Sequence, residues 1–276
     1  MPHQRSTSSP AAAEPPPVPS GFELPPVTLS EHEGVRYLHL DSPWVQGGMR
    51  ISQPQVVQID YVQRMLACLL WLPSAELGQG LAVQLGLGAG ALTRFTAQAL
   101  QMGTLAVEIN PQVVTVNQTH FHLPAAAEVV QGDALDWLSQ AAPASVRLLF
   151  VDLYDHEAAA PVLDSEAFYR LCRTVLEEGG LMSVNLFGRD ASFHDSIGRI
   201  ARAFGQHQVW SLRPTREGNT VVVAGKSVAL PERKLMSERA AFLEVRFGSL
   251  GLPARKWPSM VRAMPAEAMP QRGSSR

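Results

Sequence analysis

The stretch Leu81 to Ala91, LAVQLGLGAGA, leaves this chain few ways to fold. An apolar run, Leu81 to Leu85, is long enough for a buried strand. It breaks into three alternating glycines, Gly86, Gly88 and Gly90, and a helical pattern follows at once from Leu92 to Leu100. Strand, glycine turn and helix in that order let the backbone reverse sharply and bring bare peptide groups close to a ligand at a helix N-terminus. Twenty-two positions after Gly86, Glu108 closes a second apolar run, Thr104 to Val107. An acid at the end of the second strand of a βαβ unit can accept hydrogen bonds from both hydroxyls of a ribose. The plainer reading is a tight strand–helix turn with a solvated glutamate. The placed acid and the βαβ context favour a nucleoside site.

The remaining periodicities extend the unit. Asn110 followed by Pro111 is a helix start, with Asn as cap and Pro in the first turn. A short strand from Ala127 to Val130 ends at Gln131-Gly132-Asp133, and a helix is expected over 134–140. Val146 to Val151 is continuously apolar, as in a strand covered on both faces, and runs into Asp152-Leu153-Tyr154-Asp155. A helix over 165–178, a strand over 181–186, a helix over 192–204 and two strands, 207–212 and 219–225, follow. The last two read as a hairpin, so one strand of the sheet is expected antiparallel. Helices at 232–246 and near 256–263 complete the pattern. Alternating strands and helices predict a doubly wound, mostly parallel sheet.

Ahead of it, residues 21–60 read as a small antiparallel β unit. Its strands are expected at Val35 to Leu40, Met49 to Ile51 and Gln55 to Ile59, with Gly47-Gly48 as a turn. Asp60 is placed to cap a helix that runs to Leu72. The domain expectation is therefore a β unit at 21–60 and a Rossmann-like domain at 61–264. Residues 1–20 form a Ser/Ala/Pro-rich tail expected to be disordered, and residues 265–276 a flexible one.

Composition excludes several classes. The net charge is −2, and lysine occurs only at Lys226, Lys234 and Lys256 with no basic stripe, so nucleic acid is not an expected partner. No apolar run reaches spanning length, and the N-terminus lacks the basic-then-apolar order of a signal peptide; a cytoplasmic protein without membrane contact is expected. Cys68 and Cys172 each sit in an apolar helical pattern and read as small buried hydrophobes. His120 and His122 have no third ligand nearby, and no metal is expected.

The groups at the strand ends are Gly86 to Gly90, Glu108, Asp133 with Ala134, and Asp152 with Asp155. Together with their surroundings, they make the chain similar to the spermidine synthase family of polyamine aminopropyltransferases. The likeness runs from about Val35 to Gly225. It includes Leu40-Asp41 through Trp44-Val45-Gln46, Tyr61 to Met65, the glycine turn, Val107 to Pro111, Gly132-Asp133-Ala134, Asp152-x-x-Asp155, Phe168-Tyr169 and Leu176 to Leu181. The resemblance implies a sheet of the S-adenosylmethionine-dependent methyltransferase type. It implies decarboxylated S-adenosylmethionine as co-substrate and a polyamine as acceptor, and it leaves room for a homodimer. Glu108 would hold the ribose, Asp133 and Ala134 the adenine side, and Gly86, Gly88 and Gly90 the nucleoside backbone. Asp152 and Asp155 would serve the attacking amine, with Asp152 as the base, and Gln46 and Tyr61 would line the amine slot.

The chain also departs from the family. Ala89 stands where an aspartate commonly grips the donor's ammonium group. Val62 and Gln63 replace a polar pair after the tyrosine, and His156 replaces a proline. Two other readings stay open. One is an S-adenosylmethionine-dependent methyltransferase, against which Gln84 counts because such enzymes usually carry an acid there. The other is a nucleoside- or polyamine-binding homologue whose chemistry has lapsed.

Overall fold

The computed structural model describes residues 24–153, 163–187 and 191–264. The expected tails at 1–20 and 265–276, and Asp155 and His156, lie outside the described residues. Among the described residues no helix is long and apolar enough to cross a membrane.

The chain opens with a three-stranded antiparallel sheet, β1 (Val27–His32), β2 (Val35–Leu40) and β3 (Gly47–Arg50). β1 and β2 meet at Glu33-Gly34, both with positive φ (49° and 74°), the two-residue reversal that suits a twisted hairpin. Two expectations are corrected here. Gly47 and Gly48 are not a turn but part of β3, paired with Leu38 and Tyr37. Their lack of a side chain serves close packing: a Cβ on Gly47 would lie 2.6 Å from the Cβ of Ala89, and one on Gly48 3.1 Å from the Tyr37 ring. Gln55 to Ile59 is not a strand; Val57 is instead tied by its N–H to the carbonyl of Leu250 and buried.

Helix α1 spans Asp60–Met65, and the chain then tightens into a 3₁₀ turn over Leu66–Trp71 whose six residues are all buried. Ile59, not Asp60, is the cap residue. Asp60 is the first helical residue and pairs with Arg64 at 2.6 Å.

The main sheet has eight strands in the order β11-β9-β10-β8-β7-β4-β5-β6. Strands β4 (Leu81–Leu85), β5 (Gly103–Glu108), β6 (Ala127–Gln131), β7 (Val146–Val151) and β8 (Leu176–Phe187) run parallel. Strand β10 (Asn219–Gly225) lies antiparallel between β8 and β9 (Val209–Leu212). A short β11 (Val261–Ala263), unforeseen in the sequence, adds a second antiparallel strand at the edge. The expected helix near 256–263 is instead a 3₁₀ turn, Ala254–Ser259, leading into that strand.

The helices are α2 (Ala91–Arg94), α3 (Pro111–His120), α4 (Ala134–Gln140), α5 (Glu166–Val175), α6 (Ala191–Phe204) and α7 (Arg233–Phe247). α2 passes directly into a π turn, Phe95–Ala99. α5 stops three residues before the expected end. β8 begins at Leu176 opposite Val146, and the register then slips so that Leu181 meets Leu148. Gly179, with φ +80°, absorbs the extra residues, while Arg147 holds Glu177 at 3.2 Å. Pairing at Leu176 and from Leu181 onward, on either side of Glu177 and Glu178, overrides their helix propensity.

Alternate residues of the central strands feed two cores, as a doubly covered sheet requires. Leu148 and Phe150 of β7 and Val221 and Val223 of β10 pack with α7 and the 66–71 turn. Leu149, Val151, Val222 and Ala224 pack with α5 and α6. Cys68 belongs to the first core and Cys172 to the second, each buried as a free thiol; burial pushes the Cys68 thiol up to about 12. A third cluster, Leu38, Met49, Leu87, Ala89, Ala106, Val113 and Phe121, seats the small sheet on the glycine turn and α3.

Candidate active site

The winding of the sheet reverses between β4 and β7: from β4 the chain proceeds outward through β5 and β6, then returns to the other side of β4. Ligands in such sheets sit beyond the strand carboxyl ends at that reversal. A cavity of about 780 Å³ opens there. Its lining includes Gly86, Gly88, Glu108, Asp133, Ala134, Asp152, Gln46 and Tyr61, so residues from six separate stretches of chain border one cavity. Gly90 is outside the lining. It caps α2 with φ +67°, and a Cβ there would lie 2.6 Å from Oδ1 of Asn117, so its smallness serves the packing of α3.

The turn is held from behind. Gln84, 5% exposed, donates from Nε2 to the carbonyls of Gly86 (2.7 Å) and Leu87 (3.2 Å). Its Oε1 accepts from the N–H (3.1 Å) and hydroxyl (2.6 Å) of Thr93. A carboxylate at this position would have no proton to give those carbonyls, which accounts for the neutral amide. The buried Arg94 donates to the carbonyls of Ala89, Phe121 and Pro54, and burial lowers its pKa to about 10. Gly86 has φ +85°, and a Cβ on it would lie 2.3 Å from the carbonyl oxygen of Asp152. The turn and the β7 end therefore touch backbone to backbone. Gly86→Ala is expected to combine positive-φ strain with that clash and to lower the melting temperature by several degrees or prevent folding. Thermal denaturation measures this, and an unchanged midpoint would contradict the packing.

Glu108, 9% exposed, accepts the Leu87 N–H at 2.9 Å through Oε2 and the Asn110 N–H at 2.8 Å through Oε1. Burial pushes its pKa up, and the N–H groups of Asn110, Leu87 and Ile109 oppose that. Each oxygen still has acceptor capacity, so the carboxylate is aimed and fixed before any ligand arrives. Asp133 caps α4: its Oδ1 accepts from the N–H groups of Leu135 (2.7 Å) and Asp136 (3.1 Å).

On the other side of the crevice, Asp152 accepts from the Tyr61 hydroxyl at 3.1 Å and from the Asn185 amide at 3.0 Å. Burial pushes its carboxyl above the usual carboxylate range, with the Asn185 and Tyr61 hydrogen bonds pulling the other way. Asn219 donates in turn to Asn185 at 3.2 Å.

Neither asparagine was expected in the site, and nor was Glu217, which also lines the cavity. Asn185 is an amide inside the apolar run of β8 and is 3% exposed. A lone amide in a doubly covered strand is the signal that could have marked it. Glu217 lies in the Arg213–Gly218 loop, where polarity is uninformative. Apart from Asn110 the rest of the wall is apolar, with Leu40, Trp44, Val45, Leu153 and Phe187 among its residues.

No family model matches the chain. The chain is 30% identical over 230 residues to the polyamine aminopropyltransferase of Chromobacterium violaceum, an alignment covering 82% of this chain and 86% of that protein. Among solved structures it resembles a probable spermidine synthase from Corynebacterium glutamicum, with TM-score 0.67, 16% identity and coverage of 81% of this chain and 87% of the other. Human methyltransferase-like protein 13, solved in complex with SAH, shares the fold at TM-score 0.56 and 21% identity, over 76% of this chain and 97% of that one. These two structural likenesses carry the architecture of the sheet. The sequence relationship, spanning most of both proteins, places the chain in the polyamine aminopropyltransferase family.

Proposed function

We propose that this protein transfers an aminopropyl group from decarboxylated S-adenosylmethionine to a polyamine. The donor is a sulfonium. The amine nitrogen attacks the carbon next to sulfur, the C–N bond forms as the C–S bond breaks, and methylthioadenosine leaves with the sulfur electron pair. The amine must lose a proton for its lone pair to face that carbon.

In this reading Glu108 holds the two ribose hydroxyls, Asp133 and Ala134 meet the adenine, and the backbone of Gly86 and Gly88 approaches the nucleoside. Asp152 accepts the proton of the attacking amine. Gln46 and Tyr61 border the amine, with the Tyr61 hydroxyl orienting the base. Asp155, three positions after Asp152 in sequence, is assigned the same amine.

The observation that carries the reading is the pairing, in one cavity, of the fixed acid Glu108 with Asp152 at the end of β7. The burial that raises the Asp152 pKa makes it a better proton acceptor than an exposed aspartate. A metal-free route suffices, because the sulfonium sulfur departs as a neutral thioether.

The test is direct. The purified protein is given decarboxylated S-adenosylmethionine with putrescine, cadaverine or spermidine, and methylthioadenosine release is measured. In parallel it is given S-adenosylmethionine, and S-adenosylhomocysteine release is measured. Methylthioadenosine formed only with an amine present supports the proposal. S-adenosylhomocysteine in its place would move the protein to methyl transfer. Ala89, which leaves the donor's ammonium without the family's aspartate, favours a weak donor site, and nucleoside binding without turnover in either assay would identify a lapsed homologue.

A further inference from the structure

We propose that Glu217, at the tip of the β9–β10 hairpin, binds the far ammonium group of the acceptor and so selects diamines over monoamines. The proposal rests on the amine-transfer reading above and names the residue that would set acceptor specificity.

The hairpin tip is a built feature. The Thr215 N–H donates to the Asn219 carbonyl at 2.7 Å, and the Asn219 N–H donates back to the Thr215 hydroxyl oxygen at 3.1 Å. Gly218, at φ +108°, closes the turn. The tip is also tied to the base. The Asn219 side chain donates to Asn185 at 3.2 Å, and Asn185 donates to Asp152 at 3.0 Å. Glu217 is two residues from Asn219, a span of at most roughly 7 Å of chain. Glu217 and Asp152 line the same cavity, Glu217 exposed and Asp152 less so. Leu153, Leu163 and Phe187 contribute apolar wall to the same cavity, a surface suited to a methylene chain.

The two acids have opposite surroundings. Asp152 is desolvated and held toward its protonated form. Glu217 is exposed and receives hydrogen bonds from its own N–H and from the Thr215 hydroxyl. The charges of Arg64 and Arg216 add to these, and together they keep it ionised. Carboxyls whose environments push them apart take different tasks. A diamine needs such a pair: one nitrogen must shed its proton to attack, while the other remains an ammonium and needs a permanent anion. Arg64 is already engaged with Asp60 and with the Arg213 carbonyl, so its guanidinium is committed.

The experiment compares wild type, Glu217→Gln and Glu217→Asp with two acceptors of equal carbon length, putrescine and butylamine, which lacks the second nitrogen. Binding of each is measured by calorimetry on protein saturated with methylthioadenosine, and steady-state kinetics are run with decarboxylated S-adenosylmethionine. Glu217→Gln is expected to weaken putrescine binding and raise its KM about tenfold or more, with kcat changed less than about threefold and butylamine unaffected. Glu217→Asp is expected to recover part of the loss. Equal putrescine affinity in wild type and Glu217→Gln overturns the assignment, as does an equal loss for putrescine and butylamine. Putrescine binding that depends on Glu217 without any transfer would fault the transfer reading while upholding this one. Absence of putrescine binding by wild type overturns this assignment and leaves the transfer reading to the assays with cadaverine and spermidine.

Discussion

Asp152→Asn is expected to reduce amine transfer by on the order of a hundredfold or more, the usual consequence of removing a positioned base, while methylthioadenosine affinity stays nearly unchanged. The separation follows from geometry. Asp152 sits at the end of β7 with Tyr61 and Asn185 as its hydrogen-bond donors, whereas Glu108, the acid proposed for the ribose, is at the end of β5 with backbone donors of its own. The wild-type rate should also carry an acidic limb. The base works only when deprotonated, and burial raises its pKa, so activity is lost as pH falls through a value above the ordinary ~3.9 of aspartate.

The stability effect has the opposite sign. A carboxyl whose folded pKa is raised holds its proton more tightly when folded, and the stability this contributes is lost as pH rises from the unfolded to the folded pKa. Keeping Asp152 ionised at neutral pH thus costs the fold, and the asparagine variant is expected to melt no lower than wild type there. Kinetics, nucleoside binding and a melt on the same preparation check all three statements. A variant with wild-type turnover would remove Asp152 from the chemistry.

Glu108→Ala is expected to weaken methylthioadenosine binding at least tenfold, about 1.4 kcal/mol or more. The buried N–H groups of Leu87 and Asn110 lose their acceptor as well, at roughly 1–3 kcal/mol for each group left unsatisfied. The glycine turn should therefore loosen in the same variant. Because Glu108 is itself held up in pKa by burial, part of that loss is offset by removing a disfavoured charge. Isothermal titration with methylthioadenosine, accompanied by a thermal melt, separates the two effects. Unchanged affinity would show that the acid only braces the turn.

Much of the site was readable before any coordinates, because it is made of strand ends. An apolar run of limited length followed by glycine or an acid marks both the strand and its carboxyl edge. In a right-handed, doubly wound sheet the carboxyl edges of parallel strands share one side. That is why Gly86, Glu108, Asp133 and Asp152 could be grouped from order alone, and why Asn110 and Asp133 start helices where their side chains can cap them.

Other features were invisible for an equally physical reason: they depend on what a residue faces. Gly47 and Gly48 carry the composition of a turn, yet they are strand residues whose missing side chains admit Ala89 and Tyr37. Glu177 and Glu178 carry helix propensity, yet they fall in the register slip of β8 between the paired Leu176 and Leu181, where Glu177 meets Arg147 and Glu178 meets Lys226. Gly90 belongs by motif to the ligand turn and by position to the packing of α3.

The sequence alone determined the sheet class, the carboxyl edge that carries the candidate site and the acids along it, since these follow from local periodicity and the handedness of the chain. Only the tertiary structure decided that Tyr61, Asn185 and Asn219 form one hydrogen-bonded line to Asp152 and that Glu217 shares its cavity. Those residues are 33 to 91 positions apart from the partners they meet, in the hydrogen-bonded pairs Asp152–Asn185, Asn185–Asn219 and Tyr61–Asp152. Nothing in local propensity records a contact made across a sheet.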